Sequence, residues 1–234
     1  MSKQLCIKIA RCNRLGVTPC NVICSVQSDC ILKQTPEPWS GYLQQAQIMF
    51  ISSNPSIDFD EHFPNIGWSD DDIFEFFEER FTNGKLVKST GKKASVRYWN
   101  SLIKYTNWIN KALNNKYFSK PIVQGNDGDV SALNPYVVST EIVHCKSKNQ
   151  IGVTQKCIEV CFKKYMPEII DEFRGDLIVI VGGVAKKYIS SIKTLIVKKN
   201  PKVTLIKVPH PSDPRYPSDA KKEAEIKKAL KHPL

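Results

Sequence analysis

The chain has 234 residues, of which 41% are hydrophobic, so it can bury a real core and wholesale disorder is excluded. Lys and Arg outnumber Asp and Glu by 34 to 23, giving a net charge of +11. That charge favours a polyanion such as nucleic acid, although a generally basic protein without such a partner has the same balance. The chain contains no apolar run of 18 or more residues and no basic-then-apolar leader, so we expect a cytosolic protein.

The first half of the chain predicts one strand and two helices. Residues 1–45 are rich in cysteine, and we expect them to be mostly loop. The short apolar run at 46–52 predicts a buried strand. Helices are predicted at 70–81, where acidic residues in the first turn suit the helix dipole, and at 95–113.

The second half alternates strands with helices. Strands are predicted at 136–143, 176–181 and 203–208, and helices at 154–173, 184–191 and 219–231. The run DLIVIV at 176–181 is continuously apolar, which is typical of a parallel strand covered on both faces. This alternation predicts an α/β fold, a three-layer α/β/α sandwich around a mainly parallel four-stranded sheet, with residues 1–234 forming a single domain.

Polar or glycine residues follow each predicted strand, where parallel sheets bind their ligands. Asn54 follows the first strand, Glu141 lies near the end of the second, and Gly182 and His210 follow the third and the fourth. His210 lies between two prolines, which stiffen its backbone, and a neutral imidazole can donate a hydrogen bond to a leaving group. An Asn amide beside it could position an attacking water. Both residues are equally compatible with ordinary turns that have no catalytic task.

The eight cysteines fall into two groups, five within residues 6–30 and three within 145–161. Disulfides are rare in reducing compartments, so grouped cysteines indicate metal or redox chemistry. Buried thiols that only pack in the core are the alternative, and Cys157 and Cys161, one helical turn apart, fit it. Four thiolates would also suit structural zinc.

Four segments, spanning roughly residues 46–230, resemble motifs of the uracil-DNA glycosylase superfamily. IMFISSNPS resembles its first motif, VPHPSDPRYPSD its second, and IVIVGGVAKKYI its third strand with the following glycine turn. VVSTEIVHCKSKNQIGVTQKCIEVC is similar to the cluster-binding segment of the iron–sulfur branch.

The resemblance implies a role for each matching residue. Asn54 would position the water, and His210 would stabilise the expelled base, with Ser53 and Ser212 beside them. Phe59 or Phe63 would stack on the flipped base, and the loop bearing Arg215 and Tyr216 would wedge into DNA. A four-iron, four-sulfur (4Fe-4S) cluster, with zinc as the alternative, would be held by Cys145 and Cys161 together with N-terminal cysteines, namely Cys20, Cys24 and Cys30, with Cys12 as a further candidate.

Three features depart from the family pattern. Ser52-Ser53 replaces a glycine and a larger residue, and the N-terminal cysteines lack a tight Cys-x-x-Cys pair. Glu141 replaces the base-reading Asn, and an ionised Glu can only accept hydrogen bonds. It would repel O4 of uracil and suit an exocyclic amine, unless burial keeps it protonated. Our hypothesis is that uracil is not the best substrate; an alignment shifted by one residue is the alternative.

We therefore expect a monofunctional DNA glycosylase that removes a deaminated or damaged base in base excision repair. It would act as a monomer on DNA containing a modified or mismatched base, away from membranes. Two other functions stay open. One is a non-catalytic lesion-binding protein that retains the fold, and the other is a metal-binding α/β hydrolase of small molecules.

Overall fold

The computed structural model describes residues 2–12, 17–25, 34–58, 60–82, 97–125 and 129–234. Its centre is one sheet of four five-residue strands: β1 (Ile48–Ser52), β2 (Val137–Glu141), β3 (Leu177–Val181) and β4 (Thr204–Val208). The strand order is β2-β1-β3-β4, and every pairing is parallel. The predicted sheet is confirmed.

Eight α-helices are described around the sheet. They are α1 (Ser2–Ala10), α2 (Asn21–Ser25), α3 (Asp70–Glu78), α4 (Arg97–Ala112), α5 (Gln155–Glu172), α6 (Gly183–Lys186), α7 (Ile189–Lys199) and α8 (Asp219–Lys231). Among these described helices, none has the length and apolar character needed to cross a membrane.

Successive side chains along each strand point to opposite faces of the sheet, which divides the core into two layers. In β1, Met49 and Ile51 join the cluster that holds the buried faces of α1, α3, α5 and α7. Ile48 and Phe50 join the opposite cluster, which is covered by α4 and α8. Because successive side chains point to opposite faces of a strand, a continuously apolar strand needs helices on both sides. The three-layer α/β/α prediction is therefore confirmed.

Two local features differ from the sequence predictions. The N-terminal segment contains α1, a helix whose Leu5, Cys6, Ile9 and Ala10 are buried and which packs against α3 and α5. The apolar residues of α1 have helical spacing, but every turn also contains charged residues, so the pattern does not predict a helix clearly. Burial against the rest of the fold stabilises the helix. The helix predicted at 184–191 instead breaks around Tyr188, and α7 continues to Lys199.

Candidate active site

A cavity of about 650 Å³ opens at the carboxyl ends of the strands. Ser52 and Glu141, the last residues of β1 and β2, line it together with Asn54 and His210. Gly182, directly after β3, adopts φ +82°, which L side chains rarely take, and lies against the His210 ring. Separate strand ends thus bring the predicted amide and imidazole to one cavity.

Hydrogen bonds from its amide nitrogen hold the Asn54 side chain in place. Its Nδ2 donates to Ser147 Oγ at 2.8 Å and to the Pro55 carbonyl at 3.1 Å. The Ser147 amide in turn donates to the Pro55 carbonyl at 3.1 Å, which ties the two loops together. Asn54 Oδ1 is buried and has no hydrogen-bond partner among the described residues. This oxygen is therefore a buried acceptor, on a residue that lines the cavity, whose hydrogen-bonding capacity the described residues leave unused.

The hydrogen bonds of His210 select one tautomer. The Ser212 backbone N–H donates to His210 Nδ1 at 3.2 Å, and Ser212 Oγ lies 2.7 Å from the same nitrogen. A ring nitrogen that accepts these bonds carries no proton, so the neutral ring carries its proton on Nε2. Burial lowers the pKa of His210, which favours the neutral ring. Tyr98 stacks on this ring with centroids 6.2 Å apart.

Buried charged groups form the inner wall of the cavity. Lys146 is 1% exposed, and its Nζ lies 2.9 Å from Glu61 Oε2 and 3.9 Å from Glu37 Oε2. Glu61 also forms an ion pair with buried Arg80. Burial by itself would raise the pKa of Glu61, but the Arg80 and Lys146 cations outweigh it and lower that pKa. We call Glu37, Glu61, Arg80 and Lys146 the buried charge cluster.

The buried charge cluster predicts a large loss of stability in Glu61→Gln. We expect unfolding free energy to fall by about 3–5 kcal/mol, because two buried cations lose their shared counter-charge. Chemical denaturation at neutral pH measures this loss. The control is Glu223→Gln in α8, which removes a partly exposed pair with Lys227 and should cost about 0.5 kcal/mol. Equal effects of the two substitutions would show that the cluster contributes no special stability.

Glu141 is buried next to this cluster. It is paired in register with Ser52, and its Oε1 accepts a long hydrogen bond of 3.4 Å from Ser52 Oγ. Burial and then the neighbouring Glu37 charge raise the pKa of Glu141 well above its ordinary value, against the opposing effects of Lys146 and Ser52. Its Oε2 is buried without a hydrogen-bond partner in the described part of the chain.

The other predicted substrate and DNA residues are placed as follows. Ser53 lines the cavity, whereas Ser212 contacts His210 and is not among the lining residues. Phe63 lies behind the wall, packed on Phe76 and Phe77 and under the Lys146 ammonium, 3.5 Å from its ring centroid. Phe59 lies outside the described residues.

The loop after His210 carries the predicted DNA-wedging residues. Arg215 is exposed and pairs with Asp213 through two nitrogens, at 3.0 and 2.8 Å. These hydrogen bonds lower the pKa of Asp213 to about 2. Tyr216 is half-buried on the same loop, and its N–H donates to the Asp213 carbonyl.

Several cavity residues were absent from the sequence prediction. Besides the buried charge cluster, they include the aromatic residues Tyr98 and Trp99 and two exposed cations at the rim, Arg97 and Lys148. None follows a strand directly, so the strand-end rule could not find them. The one local signal for any of these residues was the position of Lys146, directly after the predicted ligand Cys145.

A second, small cavity brings together cysteines from both groups. Cys12, Cys20, Cys145 and Cys161 line it. This places Cys12, the further candidate, beside three of the predicted ligands. The Cys24 side chain and Cys30 lie outside the described part of the chain. Across the described residues, no three His, Cys, Asp or Glu side chains form a group that could hold a metal ion.

Two other described cysteines, Cys6 and Cys157, are packed in the hydrophobic core. Cys157 Sγ is buried and donates to the Pro19 carbonyl at 2.7 Å. Burial raises the pKa of Cys6 far above its ordinary value, as expected for a thiol packed in the core. The pKa of Cys161 is also raised by burial, to about 12. Core packing therefore accounts for Cys6 and Cys157 but does not explain why four other cysteines share a cavity.

Comparison with known families agrees with this geometry. The family model of the uracil DNA glycosylase superfamily matches residues 40–232, which includes every strand and both Asn54 and His210. A search of curated proteins finds no match to the chain. Because the family model covers most of its length, the chain belongs to the uracil DNA glycosylase superfamily.

Proposed function

We propose that this protein is a monofunctional DNA glycosylase that hydrolyses the N-glycosidic bond of a deaminated or damaged base. Members of the superfamily are DNA glycosylases and act on DNA. The observation that carries the proposal is one cavity lined by Asn54 and by His210 in a defined tautomer. The Asn54 oxygen is buried and has no hydrogen-bond partner among the described residues. The base would be flipped out of the duplex into this cavity.

Asn54 acts on the attacking water. Its Oδ1 accepts a hydrogen bond from the water, while the bonds from Nδ2 to Ser147 and Pro55 keep the amide from rotating. An amide cannot take the proton, so its contribution is to orient the water oxygen toward C1′ of the sugar. This role suits a reaction in which the C1′–N bond is largely broken before water adds.

His210 acts on the departing base. As the C1′–N bond breaks, the electron pair moves onto the base, and a neutral imidazole donates from Nε2–H to the developing anion. Water then bonds to C1′ and releases its proton, which balances the charge on the base. Two donors on Nδ1 fix the ring for this donation.

Lys146 lines the cavity but is unsuited to Schiff-base chemistry. Its ammonium donates to Glu61, and an ammonium has no lone pair with which to attack C1′. We therefore propose hydrolysis without strand cleavage. At the rim of the cavity, Arg97 and Lys148 would contact phosphates, and the loop carrying Arg215 and Tyr216 would enter the duplex.

The test is a single-turnover screen of DNA duplexes that each contain one uracil, hypoxanthine or xanthine, or one mismatched normal base. Release of a base leaves an alkali-labile site, which strand cleavage after alkali detects. We expect cleavage only after alkali treatment and no borohydride-trapped protein–DNA adduct. Tight binding to such a duplex without release would instead identify a lesion-binding protein, and absence of DNA binding at low salt would favour a small-molecule hydrolase.

We also propose that Cys12, Cys20, Cys145 and Cys161 hold a 4Fe-4S cluster. The support is a set of four thiols from distant parts of the chain around one cavity, the ligand type that such clusters use. As described, these side chains do not form a group that could hold a metal ion, so binding a cluster would have to draw them together. Bound there, it would cross-link the N-terminal segment to the segments after β2 and in α5.

The cluster proposal predicts the metal content of two cysteine variants. We expect about four irons per chain and absorption at about 400 nm in the wild type. Cys145→Ser should lose most of the iron and most of the absorption. Cys157→Ser is the matched control, because Cys157 already donates to a backbone carbonyl, and it should keep its iron. Stoichiometric zinc with no iron would contradict the cluster and support the zinc alternative.

A further inference from the structure

Residues 147–152, which follow β2 and its neighbouring loop, contact the segment that carries Asn54. Asn54 Nδ2 donates to Ser147 Oγ at 2.8 Å. Further along, Gln150 Nε2 donates to Ser53 Oγ at 3.2 Å. Neither Ser147 nor Gln150 is among the residues that line the cavity. Residues 147–152 therefore hold Asn54 and the residue before it without reaching the place where a base would bind.

The backbone of residues 147–152 adopts conformations that most side chains avoid. The φ angles are 52° at Asn149, 62° at Gln150 and 80° at Gly152. A positive φ is uncommon outside glycine, and asparagine tolerates it better than most residues, glutamine included. Such a conformation persists only where the surrounding structure determines it. Contacts elsewhere in the fold must therefore keep this segment in its shape.

The short helix α2 of the N-terminal segment supplies these contacts. Gly152 lies against its backbone, so that a Cβ at this position would come within 2.8 Å of Ile23 N and 2.9 Å of the Val22 carbonyl carbon. The Ile23 side chain is fully buried in the core, which fixes the position of α2. Directly before α2, the Pro19 carbonyl accepts from Cys157 Sγ, in the first turn of α5, at 2.7 Å. The end of the segment is therefore fixed between α2 and α5.

We propose that residues 147–152 are a positioning loop for the catalytic amide, and that α2 holds this loop in place. Gln150 and Gly152 are its positioning residues, because neither lines the cavity and both act through the chain around Asn54. Since α2 precedes residues 40–232, its contact with the loop lies outside the part of the chain that matches the family. The inference rests on the proposed function, in which Asn54 orients the attacking water.

The physical basis is the dependence of hydrolysis on the direction of the water. Misplacing a reacting group by about 1 Å can cost about 100-fold in rate. The positioning loop contacts Asn54 through Ser147 at one end and contacts α2 through Gly152 at the other. A displacement from α2 would therefore shift the hydrogen-bond acceptor that holds the Asn54 amide.

The first test is Gly152→Ala, which displaces the positioning loop from α2. The added Cβ meets backbone atoms of Val22 and Ile23, which cannot rotate away as a side chain could, and alanine disfavours a φ of 80°. Single-turnover base release at saturating enzyme, where affinity for DNA no longer matters, should fall about ten-fold or more. Release at the wild-type rate by Gly152→Ala would overturn the proposal.

Gln150→Ala tests the same loop with little risk to folding, because the Gln150 side chain is exposed. We expect base release to slow about five-fold, in line with the loss of one hydrogen bond. The matched control is Gln155→Ala, an exposed amide at the start of α5 that donates to Tyr188 Oη at 3.0 Å and to Glu159 Oε1 at 3.1 Å. The control should keep the wild-type rate, and equal slowing in the two variants would contradict the proposal.

A double-mutant cycle distinguishes positioning from general damage to the fold. In an Asn54→Ala background no amide remains to be positioned. Adding Gly152→Ala or Gln150→Ala to that background should therefore slow base release by less than about two-fold. Losses that multiply in the double variants would show that the loop does not act through Asn54, which would refute its assigned role.

Nuclear magnetic resonance follows the loop without any catalysis. In protein labelled with nitrogen-15 at asparagine, the Asn54 Nδ2 protons are the side-chain signals that Asn54→Ala lacks. Because Nδ2 donates to Ser147 and Pro55, these protons should exchange slowly with water in the wild type. Exchange should be about ten-fold faster in Gly152→Ala. Unchanged exchange in both Gly152→Ala and Gln150→Ala would also overturn the proposal.

These measurements separate the positioning loop from the proposed function. If the wild type releases no base but exchange at Asn54 Nδ2 responds to Gly152→Ala, the glycosylase assignment fails and the loop's hold on the amide stands. If the wild type releases base while both loop variants keep its rate, the glycosylase stands and this inference fails. Should Gly152→Ala not fold, Gln150→Ala and its control decide the outcome alone.

Discussion

Replacing Asn54 with alanine is expected to lower the single-turnover rate of base release by about 10³-fold. The substitution removes Oδ1, the buried acceptor that has no described partner and that we assign to the attacking water. Flipping and base binding do not use this oxygen, so affinity for DNA containing a modified base should stay within about three-fold of wild type. Rates under enzyme excess, together with fluorescence anisotropy on the same duplex, measure both quantities.

A graded control separates water positioning from general damage to the cavity. Ser147→Ala leaves Oδ1 in place but removes the hydroxyl that accepts from Asn54 Nδ2 at 2.8 Å. The amide should then rotate more freely, and we expect a loss of about ten-fold, well short of the Asn54→Ala loss. If Asn54→Ala releases base at the wild-type rate, water positioning by this residue is wrong, whatever Ser147→Ala does.

Replacing His210 with alanine is expected to slow base release by about 10²–10³-fold, the usual effect of removing one preorganised donor to a developing anion. The loss should depend on the leaving group. A base with a more stable anion, such as 5-fluorouracil, needs less help to depart, so His210→Ala should slow its release less than it slows the release of uracil. Single-turnover rates for the two bases with both proteins give this comparison directly.

Ser212→Ala is the matched control for His210, because it keeps the imidazole and removes only one of the two contacts on Nδ1. The Ser212 backbone N–H still donates to Nδ1, so the tautomer should persist. We expect a loss of only a few-fold. An equal slowing of uracil and 5-fluorouracil release in His210→Ala would argue that the imidazole shapes the cavity and does not stabilise the departing base.

Much of the fold could be predicted from local pattern. Every predicted strand forms within one to two residues of its expected bounds, because short apolar runs flanked by turn residues have few other ways to be buried. The same pattern led to Asn54 and His210, since residues that follow parallel strands share one edge of the sheet. It failed for α1, whose helical face is recognisable only once α3 and α5 bury it.

The sequence by itself determined the sheet and the strand-end residues, because each depends on a few neighbours in the chain. Only the tertiary structure decided the rest of the site. Glu37, Glu61, Arg80 and Lys146 come from distant segments and form one buried charge cluster. Burial and then the Glu37 charge raise the pKa of Glu141. Both depend on the tertiary structure, so they cannot be predicted from the residues next to Glu141 in the chain.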